Sequence, residues 1–126
     1  MGKNERECPV LVVDDTLLHR LTLSNLLVSA GMQVDTASGG RECIRKAAFN
    51  YYDIVFLDDF MPDLTGGETL QRLREQDILL ESTKVVALTA ITWEGIEKSY
   101  LNAGFDGFLE KPVTPEALYR LLVKLR

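Results

Sequence analysis

The sequence predicts an α/β fold in which five parallel β-strands alternate with five α-helices. Short apolar runs rich in β-branched residues alternate along the 126 residues with segments whose apolar positions recur at helical spacing. The connections are short, which favours right-handed crossovers and a single parallel sheet with helices on both faces. In such a sheet, we expect a functional site beyond the carboxyl ends of the strands, where the strand order reverses.

The first two strand–helix units follow directly from this pattern. The β-branched run at 10–13 predicts the first strand, and leucines at helical spacing predict a helix over 17–30 that ends at Gly31. A second strand is predicted at 32–36. The segment Ser38-Gly39-Gly40 can cap a second helix, in which apolar residues recur at i, i+3 and i+4: Ile44, Ala47 and Ala48.

The second half of the chain repeats the same alternation three times. Its first strand is apolar at every position, so we expect helices to cover it on both faces. A glycine pair precedes one of its helices, and a proline begins another. In order, the predicted elements are a strand at 54–57, a helix after Gly66 and Gly67, a strand at 84–88, a helix at 92–103, a strand at 105–109, and a helix starting at Pro115 with Thr114 as its cap.

Composition favours one soluble globular domain over residues 1–126, with a core at about 8–126. The chain is 46% hydrophobic and its net charge is −5, which disfavours nucleic acid as a partner because a nucleic-acid binder would want a basic surface. No apolar run approaches the ~20 residues of a membrane span. Cys8 and Cys43 lack metal or disulfide spacing and the N-terminus lacks a signal peptide, so we expect a cytoplasmic protein with no membrane insertion.

Polar residues interrupt the apolar runs at one edge of the predicted sheet. Asp14 and Asp15 follow the first strand, Asp58 follows the third, Thr89 the fourth, and Lys111 comes shortly after the fifth. Three carboxylates against one lysine call for a divalent cation, and oxygen-only ligands favour Mg²⁺, with Mn²⁺ as a second possibility. A hydroxyl and an ammonium suit an incoming phosphoryl group, and a carboxylate could be its nucleophile.

Five motifs in order carry a family resemblance: VLVVDD, DIVFLDDFMP, LTGGE, VVALTA and AGFDGFLEKP. Over essentially its whole length the chain resembles the receiver domain of two-component response regulators. The resemblance implies a flavodoxin-like, doubly wound sheet of strand order 2-1-3-4-5. It also implies a signalling switch that accepts a phosphoryl group from a histidine kinase. A histidine phosphotransfer protein or other domains of a hybrid kinase are further implied partners, and a stand-alone regulator and a hybrid-kinase module both stay open.

The resemblance also implies which residues handle the phosphoryl group. Asp58, three residues before a Met-Pro pair, matches the phosphoacceptor, while Thr89 and Lys111 match the residues that bind the phosphoryl oxygens. Phe108, three residues before the lysine, matches the aromatic that turns inward when Thr89 moves. The bond between Lys111 and Pro112 is expected to be cis.

For the metal, the resemblance implies ligands from two strand ends and one loop. Asp15 would bind Mg²⁺ directly, Asp14 largely through water, and Asp58 through its carboxylate, while Phe60 would offer its backbone carbonyl. An Mg²⁺-dependent phosphatase with an aspartyl nucleophile is an alternative, although such enzymes want an acid where Phe60 stands. A flavodoxin-like binding module without phosphorylation is a third possibility. We expect a receiver that assists its own phosphorylation and dephosphorylation rather than an enzyme.

Residues around these positions carry further expectations. Phe60 and Ile91 flank the phosphoryl site and cannot hydrogen-bond an attacking water, so slow self-dephosphorylation and simple packing are both open interpretations. Asp59, one residue past the acceptor, is expected to be a solvated loop acid, and Asp63 a surface acid. His19 is the only histidine. We expect it to be a solvated helix residue rather than a phosphoryl relay.

Overall fold

A computed structural model describes residues 8–125, which form one five-stranded parallel sheet flanked by five helices. The strand order β2-β1-β3-β4-β5 confirms the doubly wound, flavodoxin-like arrangement. Residues 1–7 and 126 of the predicted single domain lie outside the described residues. The elements are β1 Pro9–Val13, α1 Leu17–Ser29, β2 Gln33–Ala37, α2 Gly40–Phe49, β3 Ile54–Asp58, α3 Gly66–Glu75, β4 Lys84–Thr89, α4 Ile96–Asn102, β5 Gly107–Glu110 and α5 Pro115–Lys124.

Two apolar clusters hold the helices against opposite faces of the sheet. Alternate residues of a strand point to opposite faces, so Val55 and Leu57 join one cluster while Ile54 and Phe56 join the other. The whole of β3 is buried, as its uninterrupted apolar sequence predicted. Both faces of the central strands are therefore fixed by packing. None of the helices among residues 8–125 combines the length and the apolar character that crossing a bilayer requires.

The fourth helix is shorter than the sequence suggested. It was expected over 92–103, but α4 begins only at Ile96 because Gly95 adopts a left-handed conformation with φ of 90°. N-terminal to α4, the Thr89 hydroxyl donates a hydrogen bond to the carbonyl of Ile91 at 2.9 Å and accepts one from the Ile91 amide at 3.2 Å. These contacts turn the chain at the end of β4. The segment 90–95, here called the β4–α4 segment, is consequently non-helical.

The start of α2 is capped by a residue from a distant loop. The Asp63 carboxylate accepts hydrogen bonds from the amides of Gly40 and Arg41, each at 3.0 Å. Ser38 does not provide the expected side-chain cap, because its hydroxyl donates instead to Glu42 at 3.0 Å. Asp63 is exposed as expected, but it also joins the loop after β3 to α2. The cap predicted at Thr114 is present, where its hydroxyl accepts from Ala117.

Candidate functional site

Three carboxylates meet at the carboxyl edge of the sheet. Asp14 follows β1 and Asp58 is the last residue of β3, and these two strands pair in parallel with Val13 opposite Leu57. One carboxylate oxygen from each of Asp14, Asp15 and Asp58 lies within 4.8 Å of the others. Asp14 and Asp58 are 1% and 4% exposed, whereas Asp15 is exposed. Sheet register therefore brings the ends of β1 and β3 together, and with Asp15 these strand ends form the acidic cluster that the sequence predicted.

Lys111 brings the one ammonium group that contacts these carboxylates among the described residues. Its Nζ lies 2.8 Å from Asp58 Oδ1 and 3.2 Å from Asp14 Oδ2. The Lys111 amide donates to the carbonyl of Thr89 at 2.7 Å, which anchors the loop after β5 against β4. The peptide bond between Lys111 and Pro112 is cis, as expected. The lysine is thus aimed from the loop after β5 into the acidic cluster.

The pKa values of both Asp58 and Lys111 are raised in this cleft. Burial raises the pKa of Asp58 to about 6, and the neighbouring Asp14 charge adds to this while Lys111 opposes it. Burial by itself would lower the pKa of Lys111. The hydrogen bond to Asp58 and the charges of Asp58 and Asp14 outweigh burial and raise it. Three acids against one lysine leave a formal excess of negative charge that a divalent cation would neutralise, and an oxygen-only donor set fits Mg²⁺.

The two predicted switch residues lie at the ends of neighbouring strands. Thr89 is the last residue of β4 and is 3% exposed, but its hydroxyl is engaged with the Ile91 backbone. Phe108 lies on β5, half-buried, with its ring stacked on that of Tyr100 at a centroid distance of 5.7 Å and an interplanar angle of 24°. Thr89 therefore stands beside the acidic cluster but must turn to bind anything held there.

A glycine fixes the backbone next to the end of β3. A Cβ on Gly66 would lie 2.5 Å from the carbonyl oxygen of Asp58, too close for any side chain at this position. The Gly66 amide also donates to the carbonyl of Asp59 at 2.8 Å. The sequence indicated Gly66 only as a break before α3. The structure adds that α3 begins directly against the backbone that carries Asp58.

Asp59 is not the solvated loop acid that the sequence suggested. It is half-buried, and its Oδ2 accepts a hydrogen bond from the hydroxyl of Tyr100 on α4. Burial and this contact with Asp59 raise the pKa of Tyr100 to about 12. The two residues are 41 positions apart, and no spacing rule in a single sequence pairs residues at that distance. Asp59 is not a member of the carboxylate cluster formed by Asp14, Asp15 and Asp58.

Exposed side chains surround the cleft. Phe60 and Ile91 are 72% and 65% exposed on its two sides. His19 is exposed, as expected of a helix residue, but its Nδ1 also lies 3.4 Å from Lys111 Nζ and 3.6 Å from Asp14 Oδ2. Between α1 and the loop after β5, a groove of about 390 Å³ opens beside these groups. Its lining includes Leu18, Leu23 and Val113 in addition to His19 and Lys111.

Comparison with known proteins gives a consistent family. A family model described as the response regulator receiver domain matches residues 10–123. Two-component response regulator 24 of Arabidopsis thaliana is 32% identical over 122 residues, which are 96% of this chain and 86% of that protein. Other relatives are much longer: the chain spans 7% of hybrid signal transduction histidine kinase L of Dictyostelium discoideum, at 30% identity over 91% of its own length.

Solved structures share the fold. Chemotaxis response regulator CheY4 of Vibrio cholerae matches with a TM-score of 0.85 and 33% identity, over 95% of this chain and 99% of that one. The receiver domain of sensor histidine kinase PA1611 from Pseudomonas aeruginosa PAO1 matches with a TM-score of 0.80 and 26% identity, over 94% and 97% of the two chains. That domain holds a magnesium ion coordinated in its active site cleft. These matches agree with the resemblance that the five sequence motifs indicated.

Proposed function

Since the chain belongs to the family of response regulator receiver domains, which act as phosphoacceptor switches in two-component systems, we propose that its Asp58 accepts the phosphoryl group. One observation carries this assignment. Asp58 ends a fully buried central strand, 2.8 Å from the ammonium of Lys111 and beside two further carboxylates. An oxygen of Asp58 would attack phosphorus and form an acyl phosphate, while the bond from phosphorus to the donor's histidine nitrogen breaks.

Magnesium is the cofactor we propose for this site. Asp14, Asp15 and Asp58 would hold the ion together with the backbone carbonyl of Phe60, and the donor set is all oxygen. When bound, Mg²⁺ would offset negative charge on the transferring phosphoryl group. Mn²⁺ shares the preference for oxygen ligands and stays a prediction of the sequence.

Lys111 and Thr89 are proposed to bind the phosphoryl oxygens. Lys111 already bridges Asp58 and Asp14, so its ammonium would neutralise charge that develops beside Asp58. The Thr89 hydroxyl would donate a hydrogen bond to a phosphoryl oxygen after it breaks its hydrogen bond to the Ile91 carbonyl. Phe108, half-buried next to Thr89's strand, would then turn inward and change the surface formed by α4, β5 and α5. Phosphorylation would favour this second state rather than create it.

The proposed partner is a histidine-bearing helix of a histidine kinase or of a histidine phosphotransfer protein. Three leucines of α1 next to the cleft are exposed by 51–70%: Leu17, Leu18 and Leu21. Leu18 also lines the groove beside His19 and Lys111, so an apolar helix face could dock there with its phosphohistidine above Asp58. The net charge of −5 argues against nucleic acid as a partner. A cytoplasmic location remains a prediction of the sequence.

The alternative functions are not favoured. A phosphatase of the aspartyl-nucleophile class needs an acid two residues after the nucleophile, where this chain has Phe60. A binding module without chemistry would leave the close contact among Lys111, Asp58 and Asp14 unexplained. We therefore propose a receiver that assists its own phosphorylation and dephosphorylation without turning over a separate substrate.

The test is phosphorylation by a small donor. The chain is incubated with Mg²⁺ and acetyl phosphate, and the intact mass is measured. We expect one phosphoryl adduct on the wild type, none on Asp58→Ala, and an adduct on Asp59→Asn, which removes the adjacent acid. Chelation of Mg²⁺ should suppress the adduct. An unmodified wild type, or an adduct that persists in Asp58→Ala, would contradict the proposed function.

A further inference from the structure

A hydrogen bond connects the phosphoacceptor loop to α4. It runs from the Tyr100 hydroxyl to Asp59, the residue directly after Asp58, and both partners are half-buried. The Tyr100 ring is held on two further sides, stacked on Phe108 at 5.7 Å and edge-on to Phe105 at 5.5 Å. Tyr100 therefore contacts both the proposed switch aromatic and the neighbour of the phosphoacceptor.

This contact belongs to the arrangement in which the Thr89 hydroxyl is bonded to the backbone of Ile91. The Thr89 hydroxyl is bonded twice to the Ile91 backbone, so turning it toward a phosphoryl group must break both bonds. Ile91 belongs to the β4–α4 segment, which leads within a few residues into the helix that carries Tyr100. Phe108 in turn cannot move inward without leaving or displacing the Tyr100 ring stacked on it.

We propose that the hydrogen bond between Asp59 and Tyr100 holds α4 in its unphosphorylated position, and that a phosphoryl group on Asp58 must release it. The inference rests on the proposed role of Asp58. A hydrogen bond that is present in only one of two states stabilises that state. It weakens the binding of any ligand that requires the other state by the same free energy. An acyl phosphate on Asp58 would carry about −1.5 to −2 charge in place of the −1 of the carboxylate, which increases the negative charge next to Asp59. Asp59 and Tyr100 are thus positioning residues of the switch.

The test measures how tightly each variant binds beryllofluoride, a mimic of the phosphoryl group, in the presence of Mg²⁺. Fluorine NMR follows the bound mimic, and emission from the single tryptophan, Trp93, reports on the β4–α4 segment. Tyr100→Phe removes only the hydroxyl and keeps the ring stack. This substitution removes the hydrogen bond to the charged Asp59 from the unphosphorylated state and leaves the phosphorylated state unchanged. We therefore expect Tyr100→Phe to bind beryllofluoride about fivefold more tightly than the wild type does. Tyr119→Phe, a hydroxyl deletion at an exposed position of α5, should bind as the wild type does.

A double-mutant cycle separates this bond from the charge of Asp59. Asp59→Ala removes the acceptor, but it also removes a negative charge that repels the mimic by itself. In the Asp59→Ala background, Tyr100→Phe should therefore bring no further gain in affinity. Equal or weaker binding by Tyr100→Phe, or an equal gain in both backgrounds, would overturn the inference.

The same titrations distinguish this inference from the proposed function. A wild type that does not bind beryllofluoride, or an Asp58→Ala variant that does, would refute the role of Asp58. A wild type that binds while Tyr100→Phe is unchanged would refute only the role of Tyr100. Thermal unfolding of each variant verifies that the fold is retained.

Discussion

The two sides of the cleft are built differently. On one side, Asp14 and Asp58 extend from β1 and β3, whose residues are almost completely buried, and Lys111 bridges them. On the other side, the β4–α4 segment is exposed, turns through a left-handed Gly95, and leads into a helix of seven residues. The phosphoryl-binding side is fixed by the core, while the responding side depends on a few local hydrogen bonds.

This contrast separates chemistry from response. Side chains that bind a metal and a phosphoryl group at defined distances need a rigid support, because each displacement weakens their interaction with the bound group. A segment that must change its position needs contacts weak enough to exchange. The Thr89 hydroxyl bonds to Ile91 and the Asp59–Tyr100 bond are contacts of this second kind. A phosphoryl group on the rigid side can therefore move the loose side at small free-energy cost.

The largest expected effect is a loss of stability when a core side chain beneath the phosphoryl-binding side is removed. Phe56→Ala deletes a fully buried ring on β3 and should lower the free energy of unfolding by about 3–5 kcal/mol. Trp93→Ala deletes a larger ring from the β4–α4 segment, where it is 56% exposed, and should change that free energy by less than about 0.5 kcal/mol. Urea unfolding followed by circular dichroism measures both. Comparable losses would contradict the contrast between the two sides.

The glycines at the start of α3 offer a sharper comparison. Gly66→Ala places a methyl group 2.5 Å from the Asp58 carbonyl, so backbone must shift, and we expect a loss of up to about 3 kcal/mol. Gly67→Ala meets only the Thr65 hydroxyl at 4.0 Å and should be neutral or slightly stabilising. Thermal unfolding gives the stabilities, and acetyl phosphate labelling shows whether Asp58 has moved. A Gly66→Ala variant as stable as Gly67→Ala would refute the close approach.

A third prediction concerns the charge excess in the cleft. Burial raises the pKa of Asp58 to about 6 in the folded state, against about 4 in an unfolded chain. The folded state thus binds this proton more tightly, so ionised Asp58 destabilises the fold above pH 6, and acidification from about pH 6 to 4 removes that cost. In buffer free of Mg²⁺, Asp58→Asn should be more stable than the wild type by about 2 kcal/mol at neutral pH, with no advantage near pH 4.

Urea unfolding across this pH range measures the difference between Asp58→Asn and the wild type. Adding Mg²⁺ at neutral pH should stabilise the wild type more than the variant, because the ion binds the complete set of carboxylates. If Asp58→Asn is more stable than the wild type by the same amount at pH 4 and pH 7, the titration of Asp58 is not the source of the difference.

The sequence predicted the rigid side almost completely. Hydrophobic periodicity located the strands, and the polar residues that end them converge because parallel strands share one edge. The prediction was weakest in the β4–α4 segment, where helix-forming residues precede Gly95 and the expected helix began four positions too early. Periodicity cannot detect that a single glycine adopts a left-handed conformation.

Contacts between residues far apart in the chain could also not be predicted from the sequence. Asp59 with Tyr100, and Asp63 with the amides that begin α2, join residues 41 and 22 to 23 positions apart. Each of these acids has an ordinary solvated interpretation when it is considered alone. Only tertiary packing, which brings a loop against a helix, decides whether a surface carboxylate has a partner.

The smallest expected effect concerns how long the phosphoryl group persists. Phe60 and Ile91 flank Asp58's cleft with exposed apolar side chains that cannot hydrogen-bond an attacking water. Phe60→Gln supplies an amide at the same exposed position and should speed loss of the phosphoryl group by about threefold to tenfold, which corresponds to about 1 kcal/mol of barrier. Intact mass, followed over time after removal of acetyl phosphate, measures the decay. Phe49→Gln, at an equally exposed position on α2, is the control, and an identical lifetime for all three proteins would mean that Phe60 does not shield the acyl phosphate.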